Sequence, residues 1–211
     1  MIGVYGGSFD PVHFGHLRPV IELADVLALS QVRYVPAKIS PFKNKPSVSD
    51  EHRLAMLRLA LAEFVADDKH FVVDERELSR AGRSYTIDTL REMHHDFPNE
   101  SLLLIIGADS LIHFHRWKDY ERILTYVHLG ITVRPSYKIQ ILEWMSDRWV
   151  KSVEQLQAAT CGRLLRVNTQ PLDISSTQIR TLCAEGKPIE GLVPESVAAY
   201  ITRNQLYNKQ A

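Results

Sequence analysis

Apolar residues recur along the chain in two alternating rhythms. Short, nearly continuous apolar runs fall at about 2–6, 32–35, 70–73, 102–106, 129–133 and 163–167, each the length of a buried strand. Between them the spacing changes to threes and fours. Leu17, Val20, Ile21, Ala24 and Leu27 make one apolar face over 16–29. Leu54, Leu57, Leu61 and Phe64 do the same over 50–65, behind Ser49 as a helix cap. Ile87, Leu90 and Met93 do so over 86–96, starting at Thr86. The stretch 137–160 also reads as helical, with Trp144 and Trp149 as packing anchors.

Strands alternating with helices predict an α/β fold: a Rossmann-like, doubly wound parallel sheet covered on both faces, with a small C-terminal helical part. Ligands of such sheets bind beyond the carboxyl ends of the strands, where the strand order reverses. Residues 36–48 carry three prolines and three lysines, too many breakers for a helix. They read as a basic loop after the second strand, either a solvated surface segment or a cover over a phosphate. No internal repeat, low-complexity tract or linker interrupts the pattern, so residues 1–211 read as one domain.

Composition narrows the partners. The 211 residues are 45% hydrophobic and 24% charged, with 25 Lys plus Arg against 25 Asp plus Glu. No basic surface marks a nucleic-acid binder, so a phosphate ligand must be held by a local cluster. Cys161 and Cys183 have neither metal-ligand spacing nor the density of a disulfide scaffold, which fits idle thiols in a reducing compartment. The start shows no basic-then-apolar leader, and no apolar run approaches the roughly 20 residues needed to span a bilayer. The expected location is cytoplasmic, without a membrane partner. No exposed apolar stripe names a subunit interface, and a homo-oligomer stays open.

The candidate chemistry starts where the first strand ends. Residues 6–17 read Gly-Gly-Ser-Phe-Asp-Pro-Val-His-Phe-Gly-His-Leu, a glycine turn leading into a helix. His13 and His16 flank Gly15 at the helix start, where free N–H groups and the positive end of the dipole attract phosphate. Imidazoles there can donate to a phosphate and stabilise shifting charge. Such turns also serve as plain structure. No Gly-Lys-Ser/Thr follows, and the glycines do not form the G-x-G-x-x-G fingerprint. Near the C-terminus stands Ile174-Ser175-Ser176-Thr177-Gln178-Ile179-Arg180. Ser175 with Gln178 fits a capping box, but three hydroxyls followed by an arginine exceed what a cap requires. They suit a triphosphate tail. His94-His95-Asp96 reads as the polar end of a helix.

Together the two segments resemble the nucleotidylyltransferase superfamily, marked by a His-x-Gly-His turn and a late Ser-Ser-Thr-x-Ile-Arg helix start. Ser84-Tyr85-Thr86-Ile87-Asp88-Thr89-Leu90, Gly107-Ala108-Asp109-Ser110-Leu111, Trp117 and Val133-Arg134-Pro135 narrow the resemblance to bacterial nicotinate-nucleotide adenylyltransferases. The likeness runs from the first strand to the final helix.

The resemblance implies transfer of an adenylyl group from ATP, with Mg²⁺, to nicotinate mononucleotide, giving deamido-NAD and pyrophosphate. It implies that Gly7, Ser8 and Phe9 bring backbone close to ATP, that His13 and His16 contact its phosphates, and that His16 serves the transition state. Ser176, Thr177 and Arg180 would hold the β- and γ-phosphates. Gly107 and Asp109 would meet the adenosine, Asp109 doubling as a helix cap. For the pyridine nucleotide, Trp117 offers a stacking face, Tyr85 and Thr86 open a helix whose N–H groups suit the nicotinate carboxylate, and Arg134 suits the phosphate. Trp117 as core filler and Arg134 in a surface pair are the alternatives. The family commonly reads Pro-Pro-His-Lys/Arg in the basic loop, whereas this chain has Ser40-Pro41-Phe42-Lys43. Phe42 cannot donate to a phosphate, so that role is absent or falls to Lys38, Lys43 or Lys45. Lys43, which retains the cation, is the third candidate catalytic residue. Rival readings are an adenylyltransferase for nicotinamide mononucleotide or phosphopantetheine, and a nucleotide-binding protein without catalysis.

Overall fold

The computed structural model describes residues 1–42, 45–65, 70–133, 139–170 and 172–208. In chain order the elements are β1 (Ile2–Gly7), α1 (Phe14–Val26), β2 (Gln31–Pro36), α2 (Asp50–Phe64), β3 (Phe71–Val73), α3 (Arg76–Ser79), α4 (Thr86–Asp96), β4 (Leu102–Gly107) and α5 (Ala108–Ile112). Then come α6 (Tyr120–Ile123), β5 (Val127–Val133), β6 (Trp149–Val150), α7 (Val153–Gln157), β7 (Leu164–Asn168), α8 (Ser176–Ala184) and α9 (Glu195–Arg203). The strands form one sheet in the order β3-β2-β1-β4-β5-β7-β6, and every pairing is parallel.

Alternation along the central strands builds two cores. Leu102, Leu104 and Ile106 of β4 pack with Ile87, Leu90 and Met93 of α4 on one face. Leu103 and Ile105 point the other way and pack with residues such as Leu23 of α1, Met56 of α2 and Val197 of α9. A strand buried on both faces reads as a continuous apolar run, which is why Leu102–Ile106 was legible as one. The C-terminal helices join the second core, Ile179 of α8 and Val197 of α9 being fully buried. Glu63 of α2 accepts hydrogen bonds from the Glu195 and Ser196 amides at 2.9 and 2.7 Å, placing a carboxylate at the positive end of α9.

One expected helix does not form. Residues 137 and 138 lie outside the described residues, and the rest of 137–160 breaks into a 3-10 helix at Glu143–Arg148, the edge strand β6 and the short α7. Trp149 and Val150 favour an extended backbone and pair with Leu164 and Leu165 of β7. Ser152 then starts α7 by accepting from the Gln155 amide. Trp144 and Trp149 do serve as anchors, packed against the β4–α4 core. Among the described residues no helix is long and apolar enough to cross a membrane.

Candidate active site

From β1 the chain first steps outward to β2 and β3, then crosses back to β4 on the other side of β1. The carboxyl ends of β1 and β4 therefore diverge at the point where strand order reverses, and a crevice opens there. A cleft of about 1510 Å³ occupies it, larger than the roughly 300–1,000 Å³ of a single small-ligand pocket.

The turn from β1 to α1 is held in a demanding shape. Phe9 has φ +47°, a left-handed conformation that costs a residue with a side chain about 1–2 kcal/mol. Its ring is fully buried, between Tyr5, Tyr34 and His16, and that burial offsets the strain. Gly7 makes room for it, since a Cβ there would lie 2.8 Å from the Phe9 ring. Phe9 can thus reach a ligand only through its backbone.

Asp10 is the hub of the turn. Its buried carboxylate accepts from the Tyr207 hydroxyl at 2.8 Å and from the Ser47 amide at 2.7 Å. Its carbonyl accepts from Arg180 Nη1 at 2.7 Å. One residue therefore ties the first turn to the end of the basic loop, to α8 and to the C-terminal segment. Burial, followed by the Asp10 charge, raises the Tyr207 hydroxyl far above its ordinary range, so it stays a donor.

His13 is the N-cap of α1 in extended backbone and makes no side-chain cap hydrogen bond. The Phe14 amide of that first turn donates to the Leu192 carbonyl at 3.1 Å, while Gly15 and His16 line the cleft. The His13 and His16 rings lie against each other, centroids 3.7 Å apart and planes at 31°. Phe9 also meets the His16 ring, in an edge-type contact with centroids 5.2 Å apart. Both imidazoles are held beside the helix start, and both line the cleft.

The α8 start lines the same cleft directly beside the turn. Ser175 and Gln178 form the capping box read from the sequence. The Ser176 hydroxyl donates to the Pro11 carbonyl at 3.0 Å, so in this arrangement its proton is engaged with the turn. Arg180 Nη2 donates to Thr177 Oγ1 at 3.3 Å, leaving the Thr177 proton to point elsewhere. The late motif is bonded directly to the early one.

Two further groups complete the cleft. At the end of β4, the Asp109 carboxylate lies against the Gly107 Cα, where a Cβ would clash with it. Burial, then the Asp109 charge, pushes the nearby Tyr5 phenol well above its usual range. The second group surrounds the α4 start, with Tyr85 as N-cap and no side-chain cap bond. Behind it sits buried Glu77, which accepts from Thr89 Oγ1 at 2.6 Å and pairs with Arg80 at 3.7 Å. Burial raises the Glu77 carboxyl, while hydrogen bonds from Thr89 and Ser84 and the Arg80 charge pull the other way. Trp117 lines the same cleft, its ring packed on buried Phe114 at 5.2 Å.

Gly7, Ser8, Phe9, His13, His16, Gly107, Asp109, Ser176, Thr177, Arg180, Tyr85, Thr86 and Trp117 all line this one cleft. Lys43 and Arg134 lie outside the described residues. Of the other loop cations, Lys45 lines the cleft, whereas Lys38 Nζ donates to the Leu78 carbonyl at 3.0 Å and is spent on holding the loop. Sequence reasoning assigned no role to Asp10, Ser47, Glu77 or Tyr207. Asp10 stands inside the glycine-turn segment, but nothing in its spacing announces three partners so distant in sequence. Among the described residues no three His, Cys, Asp or Glu side chains gather into a set that could hold a metal ion.

Residues 4–182 match the family described as cytidylyltransferase-like. An Aeromonas hydrophila protein named "Probable nicotinate-nucleotide adenylyltransferase" is 41% identical over 210 residues, 98% of this chain and 96% of its own length. A Citrobacter koseri protein of the same name is 39% identical over 210 residues, 97% of each chain. Among solved structures, Plasmodium falciparum nicotinic acid mononucleotide adenylyltransferase complexed with NaAD shares the fold over 98% of this chain and 96% of that one, with TM-score 0.73 and 20% identity. The same enzyme complexed with APC aligns at TM-score 0.74, 19% identity and the same coverage.

Proposed function

Because the chain belongs to the nicotinate-nucleotide adenylyltransferases of the cytidylyltransferase-like family, we propose that its cleft joins ATP to nicotinate mononucleotide, giving deamido-NAD and pyrophosphate. The protein is a nucleotidyltransferase of NAD biosynthesis, acting in the cytoplasm as a single catalytic unit. The observation that carries this reading is the meeting of the two phosphate-type helix starts, α1 and α8, through Arg180 and Asp10.

The reaction is an in-line displacement. A phosphate oxygen of nicotinate mononucleotide forms a bond to the α-phosphorus of ATP, and the bond from that phosphorus to the pyrophosphate oxygen breaks. The attacking oxygen is already ionised, so no residue need remove a proton. The protein positions both substrates and stabilises charge. His16, at the α1 start beside His13, donates to the oxygens of the phosphorus under attack, where negative charge gathers. Arg180, Thr177 and the α8 amides hold the β- and γ-phosphates, and Ser176 braces α8 against the turn. Asp109 accepts a ribose hydroxyl of the adenosine. Among the described residues no carboxylate or imidazole cluster would hold a metal by itself, so Mg²⁺ would enter with ATP and would supply charge neutralisation for the leaving pyrophosphate.

The acceptor lies between α4 and Trp117. Its carboxylate meets the amides at Tyr85 and Thr86, where a negative group gains from the dipole and a neutral amide gains little. The Glu77–Thr89–Arg80 cluster fixes that helix start from behind, and Trp117 stacks on the pyridine ring. Chromatographic detection of deamido-NAD from ATP and nicotinate mononucleotide tests the reading, which fails if ATP binds and no dinucleotide forms.

A further inference from the structure

Phe42 is 57% exposed on the basic loop. A single exposed aromatic says nothing by itself. Its placement is informative, because its ring faces Trp117 across the cleft, centroids 6.5 Å apart and planes at 33°. Both residues line the cleft. The two rings are too far apart for close face-to-face contact with each other. Two stacked contacts of about 3.5 Å each need about 7 Å between parallel planes, so taking in one flat ring requires the exposed Phe42 side chain to turn out of its 33° tilt and shift outward.

The two walls differ in support. Trp117 rests on Phe114, which stacks on Trp144 at 5.3 Å and 28°, so its position is fixed by the core. Phe42 is fixed through its backbone neighbours. Arg83 Nη1 donates to the Pro41 carbonyl at 3.0 Å. The Ser84 amide donates to the Ile39 carbonyl at 2.9 Å, and the Lys38 amide to Ser84 Oγ at 3.0 Å. These bonds fasten residues 38–41 to the segment leading straight into Tyr85 and Thr86. The Phe42–Trp117 pair and the α4 start therefore belong to one unit, with an anion-favouring helix start beside two aromatic rings.

We infer that Phe42 and Trp117 clamp the pyridine ring of the acceptor between them, Phe42 acting as a specificity-determining contact for a heteroaromatic carboxylate. The inference rests on the functional reading above and adds to it the loop-side wall of the pocket. Where an imidazole or ammonium at this loop position would serve a phosphate, this chain places an apolar ring that can serve only a flat apolar surface. Stacking of this kind is worth on the order of tenfold in affinity per ring face, judged by alanine replacement at other aromatic platforms.

The test is calorimetric binding of nicotinate mononucleotide, ATP and ribose 5-phosphate to the wild-type chain and to Phe42→Ala, Phe42→Leu and Phe42→Tyr. The exposed position predicts that all three variants retain the wild-type thermal midpoint. Phe42→Ala should weaken nicotinate mononucleotide about tenfold and leave ATP and ribose 5-phosphate within twofold. Phe42→Leu should behave nearly like Ala, and Phe42→Tyr like wild type. Unchanged nicotinate mononucleotide affinity in Phe42→Ala, equal weakening of ATP, or full rescue by Leu would each overturn the clamp. Wild-type protein that binds ATP but not nicotinate mononucleotide would overturn the functional reading, and the clamp with it.

Discussion

Arg180 donates from Nη1 to the carbonyl oxygen of Asp10 at 2.7 Å, across 170 positions of sequence. The same guanidinium reaches Thr177 Oγ1 through Nη2 at 3.3 Å. One planar fork thus spaces the α8 start from the β1–α1 turn, and the distance between the two helix starts depends on it. A lysine has the charge but not the fork.

Arg180→Lys should therefore lower kcat/KM for ATP by one to two orders of magnitude, given about 1.5–3 kcal/mol for a charged hydrogen bond. The KM for nicotinate mononucleotide should move far less. Steady-state kinetics with each substrate varied in turn checks this, and a fully active lysine variant would remove the fork from the account.

His16→Ala should separate binding from turnover. Loss of a donor aimed at developing charge costs on the order of 10²–10³ in kcat, while ATP affinity, spread over α8 and β4, should fall only a few-fold. A variant with wild-type kcat would exclude His16 from the transition state. The stacked His13 ring, 3.7 Å away, makes His13→Ala the useful companion, because it tests whether His16 needs that support.

Much of this architecture was legible from spacing. The apolar runs at 102–106 and 129–133 fall within β4 and β5, and the three-four faces within α2 and α4; the face read over 16–29 coincides with α1 except that α1 ends at Val26, leaving Leu27 as its C-cap. Both helix starts at the cleft could be read because their signals are local: a glycine turn, and a Ser-x-x-Gln box. The stretch 137–160 has a helical spacing but forms no long helix: Trp144 lies in a 3-10 helix, and Trp149 is drawn into an edge strand by pairing with β7. Asp10, Glu77 and Tyr207 stayed hidden for the same reason. The partners of Asp10 and Tyr207 lie far away in sequence, while those of Glu77 are near but are brought together only by the turn between α3 and α4.

Tyr207→Phe should weaken the fold more than a terminal residue normally would. It removes one donor from the buried Asp10 carboxylate, worth about 1.5–3 kcal/mol, or several degrees of thermal midpoint at this chain length. Thermal unfolding followed by circular dichroism checks it. An unchanged midpoint would mean that the C-terminal segment does not brace the site.

Glu77 should impose a pH dependence of definite sign. Its carboxyl is raised above the ordinary 4.5, chiefly by burial, so the folded state holds the proton more tightly than the unfolded one. Its stabilising contribution is then full below about pH 4.5 and is lost as pH rises through the raised value. Glu77→Gln cannot ionise and should show a flatter midpoint across that rise. Parallel curves for variant and wild type would contradict the assignment.

Acceptor selectivity probes the account at its centre. Pyrophosphate release by the purified chain, with ATP and Mg²⁺, should be measured with nicotinate mononucleotide, nicotinamide mononucleotide and phosphopantetheine side by side. The α4 start and the Trp117 face predict strong preference for the acid over its amide and no use of phosphopantetheine. Equal rates with acid and amide, or preference for phosphopantetheine, would contradict the pocket assigned to Tyr85, Thr86 and Trp117.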